Sequence, residues 1–155
     1  MVTNRIIFVL ALVGMADAAY LTLAHLNFVD LGCGILHGCD EVNLHESSSG
    51  FGIPVLKAIP TAAFGLMMYV ALVALSMVRV ASSSPEAAGR AARLQWKLAC
   101  AGVAVTAWLT YLEAYVIHAW CQWCLASAFI ILLIFLTATA ERFGSAPPSS
   151  QGEAA

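Results

Sequence analysis

Four long apolar segments dominate the chain and restrict it to a bundle of membrane-spanning helices. A helix needs about 20 mostly apolar residues to cross the hydrocarbon core of a bilayer. The sequence meets this requirement at residues 6 to about 28, 60–78, 98 to about 117, and 119–140. The composition agrees, because 61% of the 155 residues are hydrophobic and only 10% are charged. We therefore predict an all-α integral membrane protein, a bundle of four transmembrane helices.

The connections between these segments differ in length and character. A polar loop spans residues 29–59, a linker rich in Ser, Ala and Gly spans 79–97, and a tight connection lies around 118–121. The end of the chain, from 144 to 155, has the Ser, Pro and Ala content of a disordered segment. We predict one four-helix transmembrane domain over residues 1–143 and a disordered cytoplasmic tail over 144–155.

The basic residues are distributed unevenly, which predicts the orientation of the bundle. Six of the seven flank one side of the four-span arrangement: Arg5, Arg79, Arg90, Arg93, Lys97 and Arg142. Because cytoplasmic loops carry an excess of Lys and Arg, both termini are expected in the cytoplasm. The outer face then carries four of the five cysteines: Cys33, Cys39, Cys121 and Cys124. The net charge of −2, without a run of basic residues, argues against nucleic acid as a partner.

The first apolar segment has an alternative interpretation as a cleavable signal peptide. Arg5 precedes it, and Ala16-Asp17-Ala18 has the small residues of a cleavage site. The apolar stretch nevertheless continues to Ala24, which is longer than the short apolar region of a signal. We therefore predict that this segment is retained as the first transmembrane helix.

Cys121 and Cys124 are predicted to form a reactive dithiol. They are three residues apart at the start of the fourth apolar segment, where free backbone N–H groups and the helix dipole stabilise a thiolate. A structural disulfide is the first alternative, but so short a loop removes little entropy from the unfolded chain. A zinc site with other cysteines or with His37, His45 and His118 is the second alternative.

The second cysteine pair, Cys33 and Cys39, lies in a segment that contains Gly32, Gly34 and Gly38. Glycine allows the backbone to bend freely, so this segment is expected to move and to present a sulfur to another protein. As a structural staple, the pair would contribute about 2 kcal/mol by closing a short loop. On an outer membrane face such disulfides form and persist.

Several motifs together resemble bacterial members of the vitamin K epoxide reductase family over nearly the whole chain. The first helix contains Ala19-Tyr20-Leu21-Thr22 and His25, and Asp40-Glu41-Val42 follows the loop cysteines. The remaining motifs are Ile59-Pro60-Thr61-Ala62-Ala63-Phe64-Gly65 with Tyr69, Tyr111-Leu112-Glu113-Ala114-Tyr115, and Cys121-Gln122-Trp123-Cys124-Leu125. The resemblance implies a four-helix bundle in the bacterial inner membrane that couples thiol oxidation to quinone reduction.

The resemblance also implies a role for each outer cysteine. Cys33 would exchange electrons with a thioredoxin-like, disulfide-forming partner, and Cys39 would pass them to Cys121. Cys124 would then face the quinone, which is ubiquinone or menaquinone, and no metal is expected. The family's loop hydroxyl corresponds to one of three serines in an ambiguous register, with His45 at the nominal spacing: Ser47, Ser48 or Ser49.

A quinone pocket needs aromatic and small apolar walls with a few polar groups. The candidates are Phe64, Tyr69, Trp108, Tyr111, Glu113, Tyr115 and Trp123. Ordinary packing or an interfacial aromatic belt is the alternative for the aromatic residues, above all for Trp123. Glu113 would relay protons or tune a thiol, or else form a neutral contact between helices, whereas Asp17 is expected to pack against polar partners.

Two other classes of function remain open at this point. A disulfide-stapled binding or assembly protein with four spans would show no turnover, and a metal-handling membrane protein would carry zinc or copper. We favour a membrane thiol:quinone oxidoreductase that regenerates an extracytoplasmic disulfide-forming partner.

Overall fold

The computed structural model describes residues 2–26, 29, 31–32, 34, 38–39, 42 and 59–144. They include the helices α1 (Val2–His25), α2 (Thr61–Ala81), α3 (Pro85–Leu112) and α4 (Gln122–Gly144). Each is long and apolar enough to cross a membrane, α3 together with the π-helical turn that follows it. The predicted all-α fold with four transmembrane helices is confirmed. Of the predicted tail, Gly144 ends α4 and the remainder lies outside the described residues.

The helices form an up-down-up-down bundle with two chemically different ends. α1 packs against α2 and α4, and α3 packs against the same two helices, so α1 and α3 occupy opposite corners. We call the end formed by His25, Thr61, Ile117 and Gln122 the thiol end. The opposite end, where α1 and α3 begin and α2 and α4 finish, is the basic end.

The centre of the bundle depends on a close approach between α1 and α2. Gly14 of α1 faces Tyr69 of α2, and a side chain on Gly14 would overlap the tyrosine ring. Tyr69 is fully buried in a core that also includes Ile7, Leu72 and Ile131. Because that core is close-packed, an added carbon at position 14 has no room unless the ring moves.

α3 begins much earlier than the apolar pattern predicts. The segment 79–97 was expected to be a linker, but the connection comprises only residues 82–84. Ser84 caps the helix by accepting a hydrogen bond from the Ala87 N–H (3.1 Å), and Pro85 occupies the first helical turn. Capping and proline chemistry at a helix start do not require apolar residues, so a hydropathy pattern does not detect this extension.

The chain reverses direction between α3 and α4 within a few residues. α3 continues into a π-helical turn, Glu113–Ile117, and His118 ends it with left-handed backbone angles of φ 57° and ψ 27°. A left-handed residue commonly terminates a helix because it redirects the next peptide groups. The tight connection expected around 118–121 is therefore present, and α4 begins at Gln122 rather than at Ala119.

Replacing Gly14 with alanine is expected to destabilise the bundle by about 1–3 kcal/mol, because the new carbon displaces the Tyr69 ring. The measurement is the thermal unfolding midpoint of the purified protein in detergent micelles. Gly89→Ala is the matched control, since nothing lies within 4 Å of its added carbon. Equal midpoints for the two variants would contradict the close packing of α1 on α2.

Candidate functional site

The start of α4 is capped by a sulfur atom. The Cys124 N–H points at Sγ of Cys121 (3.5 Å), and the Cys121 carbonyl accepts the hydrogen bond of the Leu125 N–H (3.1 Å). Cys121 thus occupies the position where Ser or Asp commonly caps a helix, with sulfur in place of oxygen. The two cysteines lie in the first turn of α4, as the sequence predicts.

The neighbours of Cys121 at this helix start lower the pKa of its thiol. A hydrogen bond from the Cys124 thiol lowers the pKa of Cys121 below its ordinary value, and the N–H groups of Cys124 and Trp123 act in the same direction. Burial and the negative charge of Glu113 oppose this effect. The lowered pKa that a helix-start dithiol predicts is therefore found at Cys121, which favours its thiolate form.

The π-helical turn brings a carboxyl group to the dithiol. Glu113 is only 3% exposed, and its Oε2 accepts a hydrogen bond from the Cys121 N–H (3.4 Å). The same carboxyl group also neighbours the Cys124 thiol. π-helical turns often occur at functional sites, where the extra residue in the turn changes the direction of a side chain.

Cys39 is buried beside the dithiol. Cys39 takes part in a disulfide bond and is 0% exposed, whereas Cys121 and Cys124 are free thiols. Cys39 and Cys121 belong to one cluster with Leu21, Val42 and other buried residues. Cys33, the other loop cysteine of the sequence analysis, lies outside the described residues.

A glycine allows this approach of the loop to α4. A side-chain carbon on Gly38 would lie 2.7 Å from the backbone nitrogen of Trp120 and 2.8 Å from Cβ of Ala119. The backbone before Cys39 therefore passes directly over the connection that precedes Cys121. Only a residue without a side chain fits there, which gives Gly38 a packing role beside the flexibility predicted from the sequence.

The two residues between Cys121 and Cys124 hold the loop. Gln122 accepts a hydrogen bond from the Gly34 N–H (3.2 Å), and the Trp123 indole N–H donates to the Gly32 carbonyl (3.0 Å). Tyr20 completes the contact, because its ring packs on Trp123 at 4.9 Å and its hydroxyl accepts from the Gly32 N–H (2.9 Å). We call Tyr20, Gln122 and Trp123 the loop clamp, a role that the sequence analysis did not assign to them.

A cavity of about 350 Å³ lies next to the dithiol. Its lining is mostly apolar and includes both cysteines of α4, together with three of the predicted pocket residues: Phe64, Tyr69 and Glu113. Tyr69 donates a hydrogen bond to the Ser127 carbonyl (3.0 Å) and contacts the Ser127 hydroxyl (3.1 Å). Ser127 lies one turn beyond Cys124 on the same face of α4, a spacing that the sequence analysis did not use.

Asp17 lies next to the hydroxyls of Tyr69 and Ser127. Neither oxygen of its buried carboxyl group forms a hydrogen bond of normal geometry with the described residues. The sequence predicts polar partners for Asp17. The nearest ones are Ser127 and Tyr69, and these two hydroxyls bond to each other.

The other predicted pocket residues do not line the cavity. Trp108, Tyr111 and Tyr115 are 51%, 49% and 69% exposed. Their rings follow one another along the outside of the α3 segment at centroid distances of 5.7 and 5.0 Å. Trp123 belongs to the loop clamp, and the candidate loop hydroxyls of Ser47, Ser48 and Ser49 lie outside the described residues. Within the described ranges, no three His, Cys, Asp or Glu side chains are grouped to hold a metal ion.

Trp123→Phe is expected to loosen the loop, because it keeps an aromatic ring against Tyr20 but removes the donor to the Gly32 carbonyl. The loss of about 1 kcal/mol should raise amide hydrogen exchange at Gly32 and Gly34 roughly fivefold. Trp120→Phe is the control, since the Trp120 indole donates no hydrogen bond to the described residues. Unchanged exchange in Trp123→Phe would contradict the clamp.

Comparison with known proteins identifies the family of the chain. The sequence profile of the Vitamin K epoxide reductase family matches residues 5–139, a stretch that contains all four helical segments almost completely. No curated protein matches the chain. The family is in general one of membrane oxidoreductases that link thiols to quinones. Because the match covers most of the sequence, the chain belongs to the vitamin K epoxide reductase family.

Proposed function

We propose that the protein oxidises a thioredoxin-like, extracytoplasmic dithiol protein and passes the electron pair to a membrane quinone, thereby supporting disulfide bond formation. One observation carries this proposal: Cys121 packs in a buried cluster with Cys39, and both cysteines of α4 line an apolar cavity. A dithiol in that position can receive electrons from a loop on one side and deliver them to a ring on the other.

Electron transfer would proceed by thiol exchange through the loop. The partner's dithiol reduces the loop pair at Cys33, and the Cys39 thiolate attacks a disulfide between Cys121 and Cys124. Cys39 is then oxidised again while the two cysteines of α4 become thiols. The redox states in the structure, with Cys39 oxidised and the α4 pair reduced, match the stage that precedes quinone reduction.

The cavity has the properties of a quinone site. Its volume of about 350 Å³ lies within the range of small-molecule pockets, and its mostly apolar lining includes a few polar groups. Cys124 would face one part of a bound ring, while the Ser127 hydroxyl, one helical turn away, can rotate to donate a hydrogen bond to a quinone oxygen. Phe64 supplies an aromatic wall.

Glu113 would move a proton during quinone reduction. The Cys124 thiol must lose its proton before its sulfur can donate an electron pair, and the adjacent Glu113 carboxylate can accept that proton. Glu113 then returns the proton to a quinone oxygen. The Cys124 thiolate adds to the quinone ring and forms a C–S bond. The Cys121 thiolate then attacks the Cys124 sulfur, and the disulfide closes as the C–S bond breaks and leaves its electron pair on the ring. The second proton of the quinol comes from water, because Cys121 has already released its own.

The charge distribution supports an orientation with the thiol end on the outer face. The basic end carries Arg5, Arg79, Arg93 and Arg142 at the helix termini. Arginine and lysine accumulate on the cytoplasmic side of membrane proteins. In a bacterial inner membrane, the dithiol and the loop would therefore meet an oxidising compartment and its disulfide-forming proteins.

Cys124→Ala is expected to abolish quinol formation. The assay contains bilayer-reconstituted protein, a reduced thioredoxin-like dithiol protein and a soluble quinone, and it follows quinone absorbance. Cys100→Ala is the control, because Cys100 is a free thiol that does not line the cavity. Turnover that persists in Cys124→Ala would sink the proposed terminal step. No turnover by the folded wild type with several quinones and donors would instead favour a stapled binding protein or a metal-handling protein.

Glu113→Gln is expected to slow quinone reduction about 100-fold, because a general acid-base contributes roughly 10²–10⁴-fold to a rate. The amide oxygen can still accept the Cys121 N–H, so the start of α4 should remain intact. Rapid mixing of the prereduced protein with quinone isolates this step, and mixing of the oxidised protein with the partner isolates thiol exchange. Equal slowing of both steps would indicate a structural role for Glu113.

A further inference from the structure

A second cavity, of about 620 Å³, lies at the basic end of the bundle. Each helix contributes one arginine to its lining: Arg5, Arg79, Arg93 and Arg142. Glu141 is the one acidic residue among the described residues that line it. Four positive charges and one negative charge in one cavity create a strong attraction for an anion.

Two of these arginines are held in place by neighbouring side chains. Arg79 donates a hydrogen bond to Gln95 (2.8 Å) and forms an ion pair with Glu141. The Arg142 guanidinium lies over the Trp96 ring at 4.5 Å. Fixed guanidinium groups bind an anion at a lower entropic cost than mobile ones, because fewer side-chain rotations are lost on binding.

The other two arginines form no ion pair with the part of the chain that the structure describes. Arg5 and Arg93 are exposed, and neither forms an ion pair or a side-chain hydrogen bond with the described residues. Four guanidinium groups around one cavity repel one another unless an anion lies between them. Planar guanidinium donors match the oxygen geometry of a phosphate group.

The surroundings of the cavity suit an amphiphile rather than a small soluble ion. Apolar side chains such as Val80 and Ala138 share its lining with the arginines. Large apolar side chains on the outside of the same end, including Val2 and Phe143, are strongly exposed. In a bilayer these groups contact acyl chains while the arginines lie at the level of the headgroups.

We propose that this cavity binds the headgroup phosphate of an anionic phospholipid. The phosphate lies among the four arginines and the acyl chains follow the apolar outer faces of the helices. Such a lipid bridges all four helices at the end opposite the thiols. It therefore favours the assembled bundle, and its binding does not depend on the proposed oxidoreductase activity.

The test compares two double variants that remove the same charge from the same end. Arg5→Gln/Arg93→Gln removes two cavity arginines, whereas Arg90→Gln/Lys97→Gln removes two basic residues that do not line the cavity. Detergent-solubilised protein is incubated with phosphatidylglycerol or phosphatidylcholine, and bound lipid is counted by native mass spectrometry. At about fivefold per basic residue, the cavity variant should bind phosphatidylglycerol about 30-fold more weakly, and the control variant should resemble wild type.

A second measurement separates a lipid site from a general effect of charge or folding. Phosphatidylglycerol should raise the thermal unfolding midpoint of wild type and of the control variant, but not that of the cavity variant. If Arg5→Gln/Arg93→Gln does not fold, Arg93→Gln alone is used, since its side chain is exposed and forms no hydrogen bond with the described residues. Equal losses in both double variants, or equal binding of the two lipids, would overturn the proposal. Displacement of the lipid by millimolar inorganic phosphate would assign the site to a soluble anion instead.

Discussion

The geometry of the thiol end depends on how α4 begins. A helix start leaves N–H groups without partners inside the helix, and in this protein the sulfur of Cys121 and the carboxyl group of Glu113 accept such hydrogen bonds. The groups that satisfy the backbone are therefore the same groups that carry the proposed chemistry. The left-handed residue His118 and the π-helical turn place Glu113 within reach of the α4 start. A change in that reversal would move the carboxyl group and the dithiol relative to each other.

The dithiol contacts two environments of different character. On the loop side, Gly38 permits close passage of the backbone, and the loop clamp of Tyr20, Gln122 and Trp123 holds Gly32 and Gly34 against α4. On the cavity side, the lining is apolar except for a few hydroxyl and carboxyl groups. Protein partners exchange disulfides in water, whereas quinones reside in the hydrocarbon. Under the proposed function, a dithiol that contacts both the loop and the cavity would pass electrons from one to the other.

Hydrogen bonds between side chains and neighbouring helices join the bundle near its basic end. Near the basic end, Gln95 donates to the Ser76 hydroxyl (2.7 Å), and Asn4 donates to the Ser76 carbonyl (3.0 Å), so α1, α2 and α3 are joined there. Hydrogen bonds between helices are useful in a bilayer, where the hydrophobic effect does little to hold one helix against another. Asp17 differs from these groups because its oxygens lie beside the Tyr69 and Ser127 hydroxyls without normal hydrogen bonds. Asp17 therefore lies beside two hydroxyl groups that line the proposed quinone site.

The sequence by itself determined the four helices and the dithiol, because both depend on local pattern. Apolar length decides whether a segment can span a bilayer, and the spacing of Cys121 and Cys124 at the edge of an apolar run predicts a helix-start dithiol. The early start of α3 was missed because it depends on the Ser84 cap and Pro85 rather than on hydropathy. Local pattern also marked Glu113 as unusual, since a charge in a span is costly.

Only the tertiary structure decided which residues share the cavity. Trp108, Tyr111 and Tyr115 have the spacing of one helix face, but that face turns outward because α3 packs on α2 and α4 with its other side. Phe64 and Tyr69 line the cavity, and Ser127 joins them from a different helix. Likewise, Trp123 binds the loop rather than the cavity because the loop backbone passes within reach of its indole. Helical periodicity specifies which residues lie together on one helix, whereas the neighbours of that face follow from how the four helices pack.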